Sequence, residues 1–306
     1  MTNPEYTVSR VSETPPAETL RAIIYGGSKT GKTWYFGTAG DRTLIIDTGA
    51  GLETLRSPLF KKDVGSDPLV TSALMEKIGE RGYVTEAVAF DMVCDILDES
   101  LKLYKDDVDT VVIDDMTALQ RFALNKGLEV NQKLNKSKTR DKIEKLDAPI
   151  VAVQDYGIQM DLIVRFLAAY IDIASSYKKH LIIGAHEKHE FKLARDKEGN
   201  IMMGEPPVVT KTYPAFTGRQ YPDQINGMFD EIWRTEKSGS GEGLVYRLRI
   251  TGSAKSVVDT EEIVAGTRHA GVFKESVIRS PNFLRMLDEI RSAYHTIPQH
   301  LLKRPA

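Results

Sequence analysis

An apolar run, Leu20–Tyr25, leads straight into Gly26, Gly27, Ser28, Lys29, Thr30, Gly31, Lys32 and Thr33 (GGSKTGKT). This fits G-x-x-x-x-G-K-[ST], and few other patterns restrict a fold so tightly. Glycines let a backbone curl around an anion at φ values other residues resist. The curled loop turns its N–H groups inward as an anion nest. A helix starting at its end adds the positive pole of its dipole. Lys32 then supplies charge to the β- and γ-phosphates of a nucleotide, and the Thr33 hydroxyl is a ligand for Mg²⁺. The pattern predicts ATP with Mg²⁺, held by Gly26–Thr33, on a strand–loop–helix unit.

The remaining periodicity agrees with such a unit. Thr43–Asp47 (TLIID), Thr110–Ile113 (TVVI) and His180–Gly184 (HLIIG) are short apolar runs, as expected of strands buried on both faces. Residues 32–39 predict a short helix, interrupted by Gly37 and Gly40. Leu52–Tyr83 is mixed and broken by Pro58 and Pro68. Ala87–Leu103 has helical spacing, with Phe90, Val93, Leu97 and Leu101 on one face, and Ile158–Ser176 predicts a long helix. Glu190–Ala194 and Ile201–Val209 read as a hairpin turned at Lys197–Asn200, followed by a loop marked by Pro206, Pro207, Pro214 and Gly218. Asp230–Arg234 and Val245–Thr251 are late strands, and Asn282–Tyr294 is a final helix. The alternation predicts an α/β fold: a mostly parallel sheet with helices on both faces and late antiparallel strands. Three parts are expected: a flexible polar arm at 1–18, the core at 19–265, and a helical extension with a basic tail at 266–306.

Composition removes several alternatives. A formal net charge of -2 rules out a bulk polycation, so any nucleic-acid contact must come from a local basic patch. The one cysteine, Cys94, has no partner for an intramolecular disulfide and no catalytic motif around it, which fits a reducing compartment. No run approaches the ~18 apolar residues of a membrane span, and residues 1–18 lack an apolar leader core. A cytoplasmic location without membrane contact is expected. A guanine-reading segment would need N-K-x-D, and Asn125-Lys126-Gly127-Leu128 lacks the acid. No lid with several arginines suggests a small-molecule kinase.

Further candidate residues lie at strand ends. Asp114 and Asp115 close the third apolar run, and ligands of open α/β sheets bind at that edge. Asp114 is placed to hold Mg²⁺ beside Thr33. Asp115 can orient or activate an attacking water, or simply cap the helix beginning near Thr117. His186, at the end of the fourth run, is either a donor to a γ-phosphate or an ordinary satisfied histidine. Asn131–Lys145 carries Lys133, Lys136, Lys138 and Arg140, readable as phosphate contacts or as a solvated helix face. Lys188–Arg219 holds Lys188, Lys192, Arg195, Lys211, Tyr213 and Phe216, and its aromatics are either base-stacking or core residues.

The segments IIYGGSKTGKT, LIIDTGAGLETL, VVIDDMTAL, QDYGIQMDLIVRFL, HLIIGAHE and TGRQ…FDEIWR occur in this order over about residues 20–260. They resemble a RecA-type P-loop NTPase core and, more closely, phage nucleotide-binding proteins of the Sak type, which are RecA-like single-strand-annealing ATPases. The resemblance implies a RecA-like fold, Mg·ATP and work on single-stranded DNA in phage recombination or replication. It also implies a homo-oligomeric ring or filament, with a single-stranded-DNA-binding protein as a further partner and the host cytoplasm as location. On it, Lys32 and Thr33 contact phosphate and metal, Asp114 is the second metal contact, and His186 stands where a γ-phosphate sensor belongs. The segments around Lys136 and Lys211 lie where DNA loops are expected. Arg219 and Lys255 are the candidates for a cation reaching a neighbour's γ-phosphate. One position departs: the catalytic acid expected two residues beyond Asp47 is Gly49. Glu53 and Asp115 remain as alternative bases. A nucleotide-binding switch or scaffold with little hydrolysis is the competing reading.

Overall fold

The computed structural model describes residues 19–295, apart from 50, 73, 80–81, 135–141, 144–147, 194–201, 203, 219–220, 240–243, 253–260 and 270. The chain opens with β1 (Arg21–Gly26), α1 (Lys32–Gly37), β2 (Thr43–Asp47), α2 (Glu53–Arg56), α3 (Pro58–Asp63) and β3 (Leu69–Val70). A small ribbon, β4 (Lys77–Ile78) and β5 (Val84–Glu86), precedes α4 (Ala89–Leu103), β6 (Thr110–Asp114) and α5 (Met116–Val130). A second ribbon, β7 (Lys142–Ile143) and β8 (Ala148–Pro149), precedes α6 (Val153–Ser176), β9 (His180–Lys192), β10 (Val208–Pro214) and α7 (Tyr221–Gly227). The chain continues through β11 (Glu231–Ser238), β12 (Val245–Arg249), β13 (Glu262–Ile263), β14 (Gly266–Thr267), β15 (Val277–Arg279) and α8 (Phe283–His295).

Among the described residues, eleven strands form one sheet with the main order β15-β12-β11-β1-β9-β6-β2-β3. From β11 to β3 the neighbours run parallel. The late strands β12, β14 and β15 are added antiparallel. The mixed α/β fold and mostly parallel sheet expected from the alternation are therefore present. Strand β1 sits between β9 and β11, so the loop after Gly26 emerges mid-sheet at its carboxyl edge. Its side chains alternate between two cores. Ile23 and Tyr25 join α4, α5 and α6 on one face. Ala22 and Ile24 join α1 and α8 on the other.

Three segments differ from expectation. The strand beginning at His180 does not stop near His186 but runs thirteen residues to Lys192. Beyond His186 its partner is β10 at Val208–Pro214, which begins in the second arm of the expected hairpin, so that Lys192↔Val208 and Phe191↔Val209 join the two expected arms, and continues through the stretch read as a loop to Pro214↔Glu187. The prolines are compatible because Pro206 and Pro207 precede the strand and Pro214 ends it, where a missing N–H breaks little of the ladder. Helix α6 also starts earlier than its periodicity suggests, at Val153, because the Asp155 carboxylate accepts the Ala152 N–H at 2.7 Å. Residues 266–295, read as an extension, place β14 and β15 in the main sheet, while Phe283, Met286, Leu287 and Ile290 of α8 enter the core. The arm at 1–18, the turn at 197–200 and the tail lie outside the described residues. No helix among the described residues is long and apolar enough to cross a membrane.

His180, at the start of β9, ties the sheet to the segment before β1. Its Nδ1 accepts the Leu20 N–H at 3.0 Å. Burial, then the nearby Arg291 guanidinium, push its pKa down to about 4 from the ordinary 6.5. The unfolded chain takes up this proton first, so stability is fully present above pH 6.5 and is lost as pH falls toward 4. Between pH 7.5 and 5 the wild type is expected to lose about 2 kcal/mol more than His180→Asn in urea unfolding. Parallel pH profiles for the two proteins would contradict this.

Candidate nucleotide-binding site

The loop between β1 and α1 is gripped from several sides. Gly31 has φ 95°, in the left-handed region, and a Cβ there would stand 2.7 Å from the Tyr246 ring of β12. Glycine is required on both counts. Thr30 Oγ1 donates to the Gly27 carbonyl at 2.8 Å and lies 2.7 Å from Thr235 Oγ1 of β11. Thr235 in turn donates to the Tyr25 carbonyl. Glu187 of β9 presses on the loop at Gly27, where a Cβ would meet its Oε1 at 3.0 Å. Arg234 holds that carboxylate at 3.0 Å. Lys32 is buried and donates to the Gly26 and Gly27 carbonyls, both at 2.9 Å. Burial pulls its pKa below the ordinary lysine value, with Asp114, Asp115 and Glu187 opposing. An anion entering the loop meets this ammonium in a partly desolvated setting, where charge interactions are strong.

The acidic corner lies on the β6 side. Thr33 Oγ1 donates to Asp114 Oδ2 at 2.7 Å. Asp114 is pushed up to about 6, foremost by burial, with Asp115 and Asp47 adding to the rise and Thr33 opposing it. Gly51 leaves the corner open: a Cβ there would lie 3.5 Å from both Asp114 Oδ2 and Thr33 Oγ1. Asp47 pairs in register with Asp114, but its Oδ1 accepts the N–H groups of Gly49 and Gly51 at 3.1 and 3.3 Å. A buried carboxylate beside two others and a hydroxyl fits a divalent cation. Among the described residues no group of three or more His, Cys, Asp or Glu could hold a metal.

Asp115 takes the capping role considered for it. Its Oδ1 caps α5 by accepting the Ala118 N–H at 2.9 Å, while its Oδ2 faces His186 Nε2 at 3.2 Å. The His186 side chain is 42% exposed, and its backbone N–H donates to Thr117 Oγ1. Asp115, His186, Lys32, Thr33 and Gly49 line one cavity of about 500 Å³. Glu53 does not line it. Its side chain is 81% exposed on α2 and pairs with Arg56 at 2.8 Å, because the helix turns Thr54 inward instead. Glu53 as a base is therefore corrected.

Other expected residues separate. Lys133 is buried, with Nζ 2.8 Å from the fully buried Asp155 carboxylate. Its charge is committed inside the protein, which corrects its reading as a DNA contact. Phe216 is a core residue, while Tyr213 lies under Lys211 at 5.9 Å. Trp233 packs in the core and Tyr156 is 43% exposed. Lys136, Lys138, Arg140, Arg219 and Lys255 lie outside the described residues. The sequence reading missed Tyr246, whose placement on Gly31 depends on the β11–β12 pairing and has no local signal.

No curated protein matches the chain. The family model for an AAA domain matches residues 18–269. That span takes in β1, the phosphate loop, the acidic corner and His186, and the chain accordingly belongs to the AAA domain family of P-loop NTPases.

Proposed function

We propose that the chain binds Mg·ATP between Gly26–Thr33 and Asp114, hydrolyses it, and acts on single-stranded DNA in phage-type recombination or replication. The observation that carries the nucleotide part is the 2.7 Å bond from Thr33 to Asp114 beside buried Lys32. It joins a phosphate cradle to a strand-end acid. The DNA part rests on the order of the RecA-like segments in the sequence.

In this reading the loop N–H groups and Lys32 hold the phosphates, and Thr33 and Asp114 hold the cation. Bound Mg²⁺ would neutralise charge on the phosphate oxygens. Asp115 orients the attacking water and accepts its proton as the new P–O bond forms and ADP departs. His186, 3.2 Å from Asp115, donates to the γ-phosphate and couples the two. The chain works as a homo-oligomer, with Arg219 or Lys255 reaching the neighbour's nucleotide.

One observation favours a second reading, a nucleotide-dependent switch with little turnover. Gly49 lines the cavity where an acid was expected, and Glu53 faces solvent. Steady-state ATP hydrolysis with and without single-stranded DNA decides between them. DNA-stimulated turnover is the expected result. Tight ATP binding without turnover in either condition would replace the first reading with the second.

A further inference from the structure

We propose that the cavity beside the phosphate loop, walled by Trp34 and Tyr246, receives the purine base of the nucleotide, and that Tyr246 is the residue that distinguishes a nucleotide from a bare polyphosphate. The proposal rests on the Mg·ATP reading of the loop and adds the half of the ligand that the loop does not touch.

A second cavity of about 360 Å³ adjoins the loop; Trp34, Leu59, Val64, Tyr246 and Pro281 form its apolar part, and Asp63, Arg247 and Arg285 also line it. Both cavities are lined by Gly31 and Tyr246, so they meet at the end of the loop. The Tyr246 ring sits on Gly31, and Trp34 lies in the first turn of α1 just beyond the loop. The two rings are 5.9 Å apart and inclined by 36°. Behind Trp34, Phe60 packs edge-on at 5.2 Å and fixes the indole. Neighbouring Tyr35, Phe36 and Trp233 are fully enclosed, whereas Trp34 and Tyr246 are only half-buried. Each keeps an open surface that packing within the protein does not use. Aromatic rings held in this way suit stacking on a base, which is tolerant of base identity because every base has a π face.

The direction also fits. Thr33, Asp114, Asp115 and His186 mark the end where the γ-phosphate and cation belong, on the β9–β6 side of β1. Strand β12, which carries Tyr246, lies on the other side, beyond β11. A triphosphate laid along the loop with its γ end at the acids points its base toward Tyr246 and Trp34.

The test is calorimetric titration of the full chain with ATP and with inorganic tripolyphosphate, both with Mg²⁺. Tyr246→Ala is expected to weaken ATP about tenfold and to leave tripolyphosphate within about twofold. Tyr246→Phe should bind both as the wild type does. Trp34 fluorescence should respond to ATP and not to tripolyphosphate, and the response should vanish in Trp34→Phe. Unchanged ATP affinity in Tyr246→Ala would overturn the base site while leaving the loop reading intact. Equal losses for both ligands would overturn it as well, reducing Tyr246 to a support for Gly31. A wild type that binds neither ligand would overturn the loop reading, and the base site with it.

Discussion

Lys32→Ala is expected to lower ATP turnover at least about 100-fold, the scale seen when a single donor aimed at developing charge is removed from a desolvated site. The ammonium is already buried at the loop and bonded to the Gly26 and Gly27 carbonyls. Phosphates need only draw it a short way, so its charge is placed before the ligand arrives. The substitution removes that charge and leaves both carbonyls without their donor. Turnover and ATP affinity should fall together, while thermal stability stays near the wild-type value. Turnover within tenfold of wild type would mean that the phosphates bind elsewhere.

Trp233→Ala should destabilise the fold by about 4 kcal/mol or more. Truncating a buried aromatic side chain of this size costs ~3–5 kcal/mol through lost transfer and the cavity left behind. Trp233 is fully buried, packed between Tyr35 and Phe273. Its Nε1 also donates at 2.8 Å to Glu231, a fully buried carboxylate. Among the described residues Thr267 and His269 also contact that carboxylate, so losing one donor adds an electrostatic penalty. In a domain of this size the melting temperature should drop by about 10 °C. Trp233→Phe keeps most of the volume and should lose less than half as much. An alanine variant within about 1 kcal/mol of wild type in urea unfolding would refute this account of the core.

What the sequence made legible was local. The unit β1–loop–α1 could be read because an apolar run, glycines and GKT sit side by side. Asp114 and His186 could be read because buried strands end in polar residues at one edge. The rest required three-dimensional pairing. Lys133 looks like part of a solvated charge run, yet it meets Asp155 only once the start of α6 folds back beside it. Glu53 is close to Gly49 in sequence, and the direction of α2 turns it away. The continuity of β9 was hidden because its apolar run ends at Ala185 and the polar HEKHE follows, where the strand passes the end of β1 and pairs with β10. Tyr246 is an unremarked aromatic until β12 pairs with β11.

That pairing has a consequence for how the site tolerates change. Thr235 and Tyr246 reach the loop from the same face of neighbouring strands, and the opposing pairs Glu236↔Arg247 and Arg234↔Arg249 occupy the other face. A strand alternates its faces residue by residue, so a slip of one position exchanges them entirely. An extra residue at the start of β12 would lift Tyr246 off Gly31 and lay Val245 in its place. A single insertion within β12 therefore rewrites the wall of a site formed near the opposite end of the chain.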